Sequence, residues 1–112
     1  MTIEEIRMKA ENGSVSFQRL LGDIYTKEVY RKDYAVELDK AEGVKWYGKA
    51  AEQGDVVAQN AMGYAYHMGD GAVQDYAEAV KWYEKAAVQG YEIAISNLGN
   101  IYYKGGFGVE KC

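Results

Sequence analysis

Apolar and small residues recur along this chain at helical spacing. Ala79, Val80, Tyr83, Ala86 and Ala87 form one stripe, and Ala58, Ala61, Met62, Ala65 and Tyr66 form another. Steps of three, four and seven residues put each set on one side of an α-helix, because 3.6 residues complete a turn, and leave the polar residues on the other side. Start signals agree. Asp39 with Glu42, and Asp75 with Glu78, have the spacing of a capping box, where the first side chain accepts an orphan amide proton and the second reaches back. Stop signals agree as well, with Gly13, Gly54 and Gly90 standing where a left-handed residue ends a helix. The pattern predicts six helices, over residues 2–12, 15–27, 39–53, 56–67, 75–89 and 92–103, with 104–112 as loop. The chain has no Pro, so no segment is barred from helix on backbone grounds.

The stripes repeat. Val44-Lys45-Trp46-Tyr47-Gly48-Lys49-Ala50-Ala51-Glu52-Gln53-Gly54 returns 36 residues later as Val80-Lys81-Trp82-Tyr83-Glu84-Lys85-Ala86-Ala87-Val88-Gln89-Gly90. The same interval carries Ala58 to Ala94, Gly63 to Gly99, Tyr66 to Tyr102 and Gly69 to Gly105. Towards the N-terminus the interval is 41, from Gly54 back to Gly13 and from Met62-Gly63 back to Leu21-Gly22. The extra residues fall between Tyr25 and Asp39, which gives the first unit a longer loop. A period of this length suits two helices with two turns. The 112 residues therefore form one domain, divided into a half repeat 1–13, repeats 14–54 and 55–90, and a half repeat 91–112.

One hairpin cannot bury its own stripe, and stacking makes the core continuous. Gly63, Ala86 and Ala87 are small enough for helix axes to approach closely, while Tyr66, Trp82 and Tyr83 fill the gaps between neighbours. Gly43 and Gly48 stand where the next unit has Ala79 and Glu84. A glycine inside a helix costs about 1 kcal/mol relative to Ala, so the first repeat is expected to be the looser one.

Met62-Gly63-x-x-Tyr66-x-x-Gly69-x-Gly71, then Asp75, then Ala79-x-x-Trp82-Tyr83-x-Lys85-Ala86-Ala87-x-x-Gly90, resembles the Sel1-like repeat, a relative of the tetratricopeptide repeat. The likeness covers nearly the whole chain, and Leu98-Gly99-Asn100-Ile101-Tyr102-Tyr103 opens a further copy. The resemblance implies an all-α, right-handed superhelix of about three helix pairs. It also implies an adaptor that assembles or regulates other proteins, in a family with many bacterial members. Members that rely on disulfides carry several cysteines, whereas this chain has only Cys112.

Composition narrows the partners. The formal charge is -4 and the pI about 5.0, with 13 basic residues against 17 acidic and no basic run longer than Arg31-Lys32. Displacing counterions from a polyanion needs clustered Lys and Arg, so nucleic acid is a poor fit. No stretch approaches the roughly 20 apolar residues of a membrane helix, and residues 1–6 begin no signal-peptide run. A cytoplasmic chain is expected, although one trimmed of its leader would look the same.

Catalysis needs a constellation, and none is visible. His67 is the only histidine, which rules out a histidine cluster for zinc. Pairing it with Cys112 would put the nucleophile on the last residue, too mobile to preorganise. Gly69-Asp70-Gly71 and Gly105-Gly106-Phe107-Gly108 lack the Gly-Lys-Ser/Thr of a phosphate loop and read as turns. No enzyme activity, cofactor or metal is expected.

In solenoids of this kind the first helix of each pair lines the concave face. Removing the buried stripe from those helices leaves Arg19, Asp23 and Thr26; then Asn60, Tyr64 and His67; then Ser96, Asn100 and Tyr103. The rows align under the repeat intervals and predict one polar groove that recognises a peptide or protein loop through hydrogen bonds and aromatic contact. The same residues also fit a plain solvated face. A second candidate surface is the last helix, whose Leu98, Ile101 and Tyr102 face a neighbour these residues do not supply. The tail around Phe107, self-association or a partner would cover it, or the chain is a piece of a longer array. The leading expectation is a non-catalytic module that binds another protein or peptide. The alternative is a dedicated inhibitor or immunity protein of one toxin or enzyme, with a helical-repeat RNA reader behind it.

Overall fold

The computed structural model describes residues 1–104, and these form seven α-helices and no strand. The helices are α1 (Ile3–Glu11), α2 (Val15–Thr26), α3 (Arg31–Tyr34), α4 (Lys40–Glu52), α5 (Val56–Met68), α6 (Tyr76–Val88) and α7 (Glu92–Lys104), with a 3-10 turn, Glu28–Tyr30, ahead of α3. All six helices expected from the spacing are present, each end within one residue of its predicted position. The turn and α3 are additional. They occupy the stretch read as a longer loop, and it folds because Tyr30, Tyr34 and Val36 gain apolar burial against the cluster of Ile6, Leu21, Ile24, Tyr25 and Trp46. Residues 105–112, and with them the tail around Phe107 and Cys112, lie outside the described residues.

The helix ends follow the cap chemistry, with one difference. Asp39, Asp55 and Asp75 each accept a backbone amide of the first turn, from Glu42, Ala58 and Glu78 respectively. The reciprocal arm of the capping box forms at Thr2 and Glu5 instead of at the two aspartates singled out from the sequence. Glu42 and Glu78 turn to Lys45 and Lys81, at 3.4 and 3.1 Å, one turn along their own helices. Gly13, Gly54 and Gly90 close their helices at φ of 101, 97 and 85°.

Packing follows chain order from α1 through α2, α4, α5 and α6 to α7, and produces a rod of 51 × 25 × 19 Å. Each unit is locked by a tyrosine ring on a bare backbone. A Cβ built at Gly22 would come within 2.5 Å of Tyr47 Cδ1, and one at Gly63 within 2.4 Å of Tyr83 Cδ1. The two tryptophans have matching surroundings. Trp46 clusters with Ile6, Ala10 and Leu21, while Trp82 packs on the cluster holding Tyr47, Ala51 and Met62, the residues in the same register one unit on. Lys49 and Lys85 lie over the two indole rings at 5.7 and 5.6 Å.

A hydrogen-bond relay repeats with them. Gln18 donates to Ala10 O at 3.0 Å and accepts from Gln53 at 2.8 Å; Gln59 donates to Ala51 O at 3.2 Å and accepts from Gln89 at 2.9 Å. Gln18 and Gln59 are buried, so each relay satisfies polar groups inside the seam between helices. Gly43 has a structural reason beyond its helix cost. A Cβ there would meet Thr26 Cγ2 at 2.4 Å and Gly22 O at 3.0 Å, so its bareness sets the approach of α4 to α2.

Candidate functional site

A concavity of about 470 Å³ opens where α2 ends, α4 begins, α5 passes and α7 starts. Its apolar lining comes from Val44 of α4, Ala61 and Ala65 of α5, and Ile93 of α7. Small residues at 61 and 65, one turn apart on α5, create the hollow. Around them stand Thr26, Lys27, Lys40, Asn60, Tyr64, Asp70 and Asn97.

The turn after α5 builds one wall. Gly71 has φ of 85°, and a Cβ on it would lie 2.6 Å from Lys40 O and 2.7 Å from Val44 Cγ2. Only glycine satisfies both the left-handed backbone and that close approach. The turn therefore sits against the first turn of α4, and Asp70 reaches Lys40 at 3.1 Å. On the opposite wall Asn97 Nδ2 donates to Asn60 Oδ1 at 3.2 Å, which ties α7 to α5. That bond uses one donor of Asn97 and one acceptor of Asn60, and each amide has further capacity.

Tyr47 contributes a fixed phenol. Its hydroxyl donates to Asp23 Oδ1 and lies 3.2 Å from Thr26 Oγ1, which itself donates to Gly22 O at 2.8 Å. Burial, and then the bond to the Asp23 carboxylate, hold this phenol well above its ordinary pKa. It stays protonated at neutral pH and acts as a donor, not a base. Tyr83 is pushed up to about 12, by burial first and by neighbouring Tyr64 second.

Of the nine positions expected to form the groove, Thr26, Asn60 and Tyr64 line the concavity, with Tyr64 half exposed. The structure places the other six elsewhere. Arg19 pairs with Asp55 at 3.2 Å, binding α2 to the N-cap of α5. Asp23 receives Tyr47 and also Lys27, at 3.1 Å. His67 meets the rings of Tyr76 and Tyr83 edge-on, with centroids at 5.8 and 6.0 Å, and its Nδ1 lies 3.4 Å from the Tyr83 hydroxyl. Ser96, Asn100 and Tyr103 are exposed on α7 and do not line the concavity. The register explains two of these placements: Asp23 with Thr26, and Tyr64 with His67, are the equivalent positions where α4 and α6 set down their tyrosine hydroxyls.

The sequence reading missed Lys40, Val44 and Tyr47, which come from the second helix of a pair, and Ile93 and Asn97, which stand one turn before the positions chosen on α7. One signal was available: Lys40 and Val44 are one turn apart on a helix whose buried stripe runs through Gly43, Tyr47 and Ala50. Among the described residues no group of three or more His, Cys, Asp or Glu could hold a metal ion, and no helix is long and apolar enough to cross a membrane.

The sequence matches the Sel1 repeat model over residues 16–55, 56–91 and 93–111. No curated protein matches it. Several solved structures are similar, the following three among them. A protective antigen of uropathogenic Escherichia coli strains, displaying an SLR fold, is 36% identical with a TM-score of 0.80, over 96% of this chain and 22% of its own. A Sel1 repeat protein from Oxalobacter formigenes is 33% identical with a TM-score of 0.82, over 100% of this chain and 81% of its own. Helicobacter pylori cysteine rich protein B is 29% identical with a TM-score of 0.73, over 85% of this chain and 68% of its own. The chain thus spans about a fifth of the length of the first of these and most of the other two.

Proposed function

The chain belongs to the Sel1 repeat family, whose members generally mediate protein–protein interactions, and we propose that this one takes a peptide segment or loop of a partner protein into the concavity between α2, α4, α5 and α7. The observation that carries the reading is the composition of that concavity: apolar Val44, Ala61 and Ile93 inside, surrounded by Asn60, Asn97, Tyr64, Lys27 and Lys40. An apolar side chain of the partner gains burial against the hollow. The two asparagine amides offer a donor and an acceptor to its backbone, as a β-like or loop segment requires. Tyr64 supplies aromatic area at low entropic cost.

The two lysines add direction. Lys27 and Lys40 are held by Asp23 and Asp70 in ion pairs open to solvent. Exposed pairs contribute on the order of 0–1 kcal/mol, so either lysine exchanges its partner for an incoming carboxylate at little cost. A segment with an apolar anchor flanked by an acidic residue fits best. The family fold is typically a non-catalytic interaction scaffold. A dedicated inhibitor of a single enzyme or toxin would use the same surface and differ only in having one partner.

Site-specific photo-cross-linking in the source cell tests the reading. A benzophenone side chain at position 64 forms protein adducts, and the same group at Lys81, on the exposed side of α6, does not. Ala61→Leu, which fills the hollow, and Asn60→Ala reduce the adducts while leaving helix content unchanged. Equal yields from positions 64 and 81, or adducts indifferent to both substitutions, contradict the proposal.

A further inference from the structure

The two repeats fill the same four positions differently. Over the interval of 41, Ile3, Ile6, Leu20 and Ile24 become Val44, Tyr47, Ala61 and Ala65. In the first unit all four belong to one apolar cluster, with Ile6 and Ile24 buried and Ile3 and Leu20 packed against them. In the second unit the same positions line the concavity. The scaffold repeats, but a leucine and an isoleucine one turn apart on α2 give way to two alanines one turn apart on α5. The neighbouring helices do not close in to recover the space, since about 470 Å³ stays open. Ala65 is 3% exposed and forms the floor, while half-buried Ala61 stands nearer the mouth.

We propose that the partner segment returns what the second unit lacks: two aliphatic side chains, one residue apart in an extended stretch, seated where Leu20 and Ile24 sit in the first unit. The inference rests on the concavity being the binding site and adds which residues it takes. The lining decides for aliphatic over aromatic. Val44 and Ile93 are β-branched, and Ala61 and Ala65 present single methyl groups, so the surface is knobbed. A branched side chain interdigitates with such a surface, where a flat ring leaves voids that forfeit contact. The ring of Tyr47 is already laid on Gly22 and offers no face for stacking. Spacing sets the rest. Four residues of helix, as from Ala61 to Ala65, rise about 6 Å. Residues i and i+2 of an extended segment lie about 6.6 Å apart with side chains on one face.

The segment lies along α5, from the Asn60–Asn97 pair before Ala61 to the Lys40–Asp70 pair beyond Ala65. Its acidic residue therefore follows the aliphatic that takes Ala65 and precedes neither. Because the first unit fills the equivalent space from within, filling it from within in the second has two opposed effects. The chain gains packing and loses its ligand.

The test uses the full 112-residue chain. The probe is a library of random heptapeptides displayed on phage, selected on this chain and counter-selected on its Ala61→Leu variant. Enriched peptides should carry two of Leu, Ile, Val and Met one residue apart, with Asp or Glu at one end of the pair. One of them, synthesised, should bind one to one in calorimetry. Changing either aliphatic residue of that peptide to Ala or to Phe should weaken binding by roughly tenfold or more, through lost burial or lost fit. Ala61→Leu in the chain should weaken it by roughly tenfold or more as well, with a melting temperature unchanged or higher. A lowered melting temperature overturns the inference, because the hollow then does not accept a leucine. Enrichment of aromatic anchors overturns it too; if those peptides still discriminate against Ala61→Leu, the concavity stands as the binding site and only the aliphatic choice falls. A library that yields no peptide able to tell the two chains apart overturns both readings.

Discussion

Gln89 donates to Gln59 Oε1 at 2.9 Å, and the bond recurs one unit earlier between Gln53 and Gln18 at 2.8 Å. Each pair spans from the C-cap of a second helix to the first turn of the first helix before it. The donor glutamines also reach the carbonyls of the preceding helix-ending glycines, Gly54 at 3.1 Å and Gly13 at 3.4 Å. The repeat is therefore held in register by a polar bond at an otherwise apolar seam, where sliding by one turn would strand the buried acceptors of Gln18 and Gln59.

Gln59→Ala should destabilise the chain by roughly 1–3 kcal/mol, the range for stranding buried hydrogen-bonding partners. Urea denaturation followed by helical circular dichroism reads this as a lower midpoint at unchanged slope. Glu52→Ala, an exposed neighbour on α4, should shift the midpoint little.

Much of the fold was legible in the sequence because a repeat shows the same physics twice. The stripes Ala79–Ala87 and Ala58–Tyr66 located two helices, and the interval carried them onto the rest. The equivalence of Trp46 and Trp82, and the fit of Gly63 to an aromatic neighbour, followed from register alone. The short α3 was less visible, since four residues are too few to show a period, although Tyr30 and Tyr34 stand one turn apart. The groove was legible only in part. Periodicity tells which residues of α2 and α5 avoid the core, and so reached Thr26, Asn60 and Tyr64. It does not tell which of them another element then claims, as Asp55 claims Arg19 and Tyr47 claims Asp23. Nor does it show that the Gly69–Gly71 turn lies on Lys40 and brings α4 into the wall.

Gly48 and Gly43 should behave oppositely when changed to Ala. At Gly48 the nearest atom to a new Cβ is Met62 Cε at 3.6 Å, an ordinary contact, so Gly48→Ala should gain about 1 kcal/mol of helix propensity. That corresponds to a rise of roughly 4 °C in melting temperature. Gly43→Ala forces the new methyl against Thr26 Cγ2 and the Gly22 carbonyl and should lower it. Thermal melts of the two variants check the pair directly.

The tyrosine hydroxyls predict an alkaline limit. Burial raises the folded Tyr83 phenol from the ordinary 10.0 to about 12, and Tyr47 is raised as well. The folded chain thus holds these protons more tightly than the unfolded chain does. Their contribution to stability is complete below about pH 10 and is lost as the pH rises towards 12. Stability measured from pH 8 to 11.5 should fall across the upper part of that range. Tyr83→Phe, which has no proton to lose, should flatten the fall; a fall of undiminished steepness in that variant contradicts the assignment.

The central claim is that a tyrosine lying on a bare glycine is what joins one helix pair to the next, whereas at Gly99 no described residue comes within 4 Å of where a Cβ would be. Urea midpoints of Gly22→Ala, Gly63→Ala and Gly99→Ala, compared in one series, test it most directly. The first two should lose roughly 1–3 kcal/mol, since overfilling outweighs the helix gain, while Gly99→Ala should gain up to about 1 kcal/mol. Equal shifts of one sign at all three positions would contradict the account.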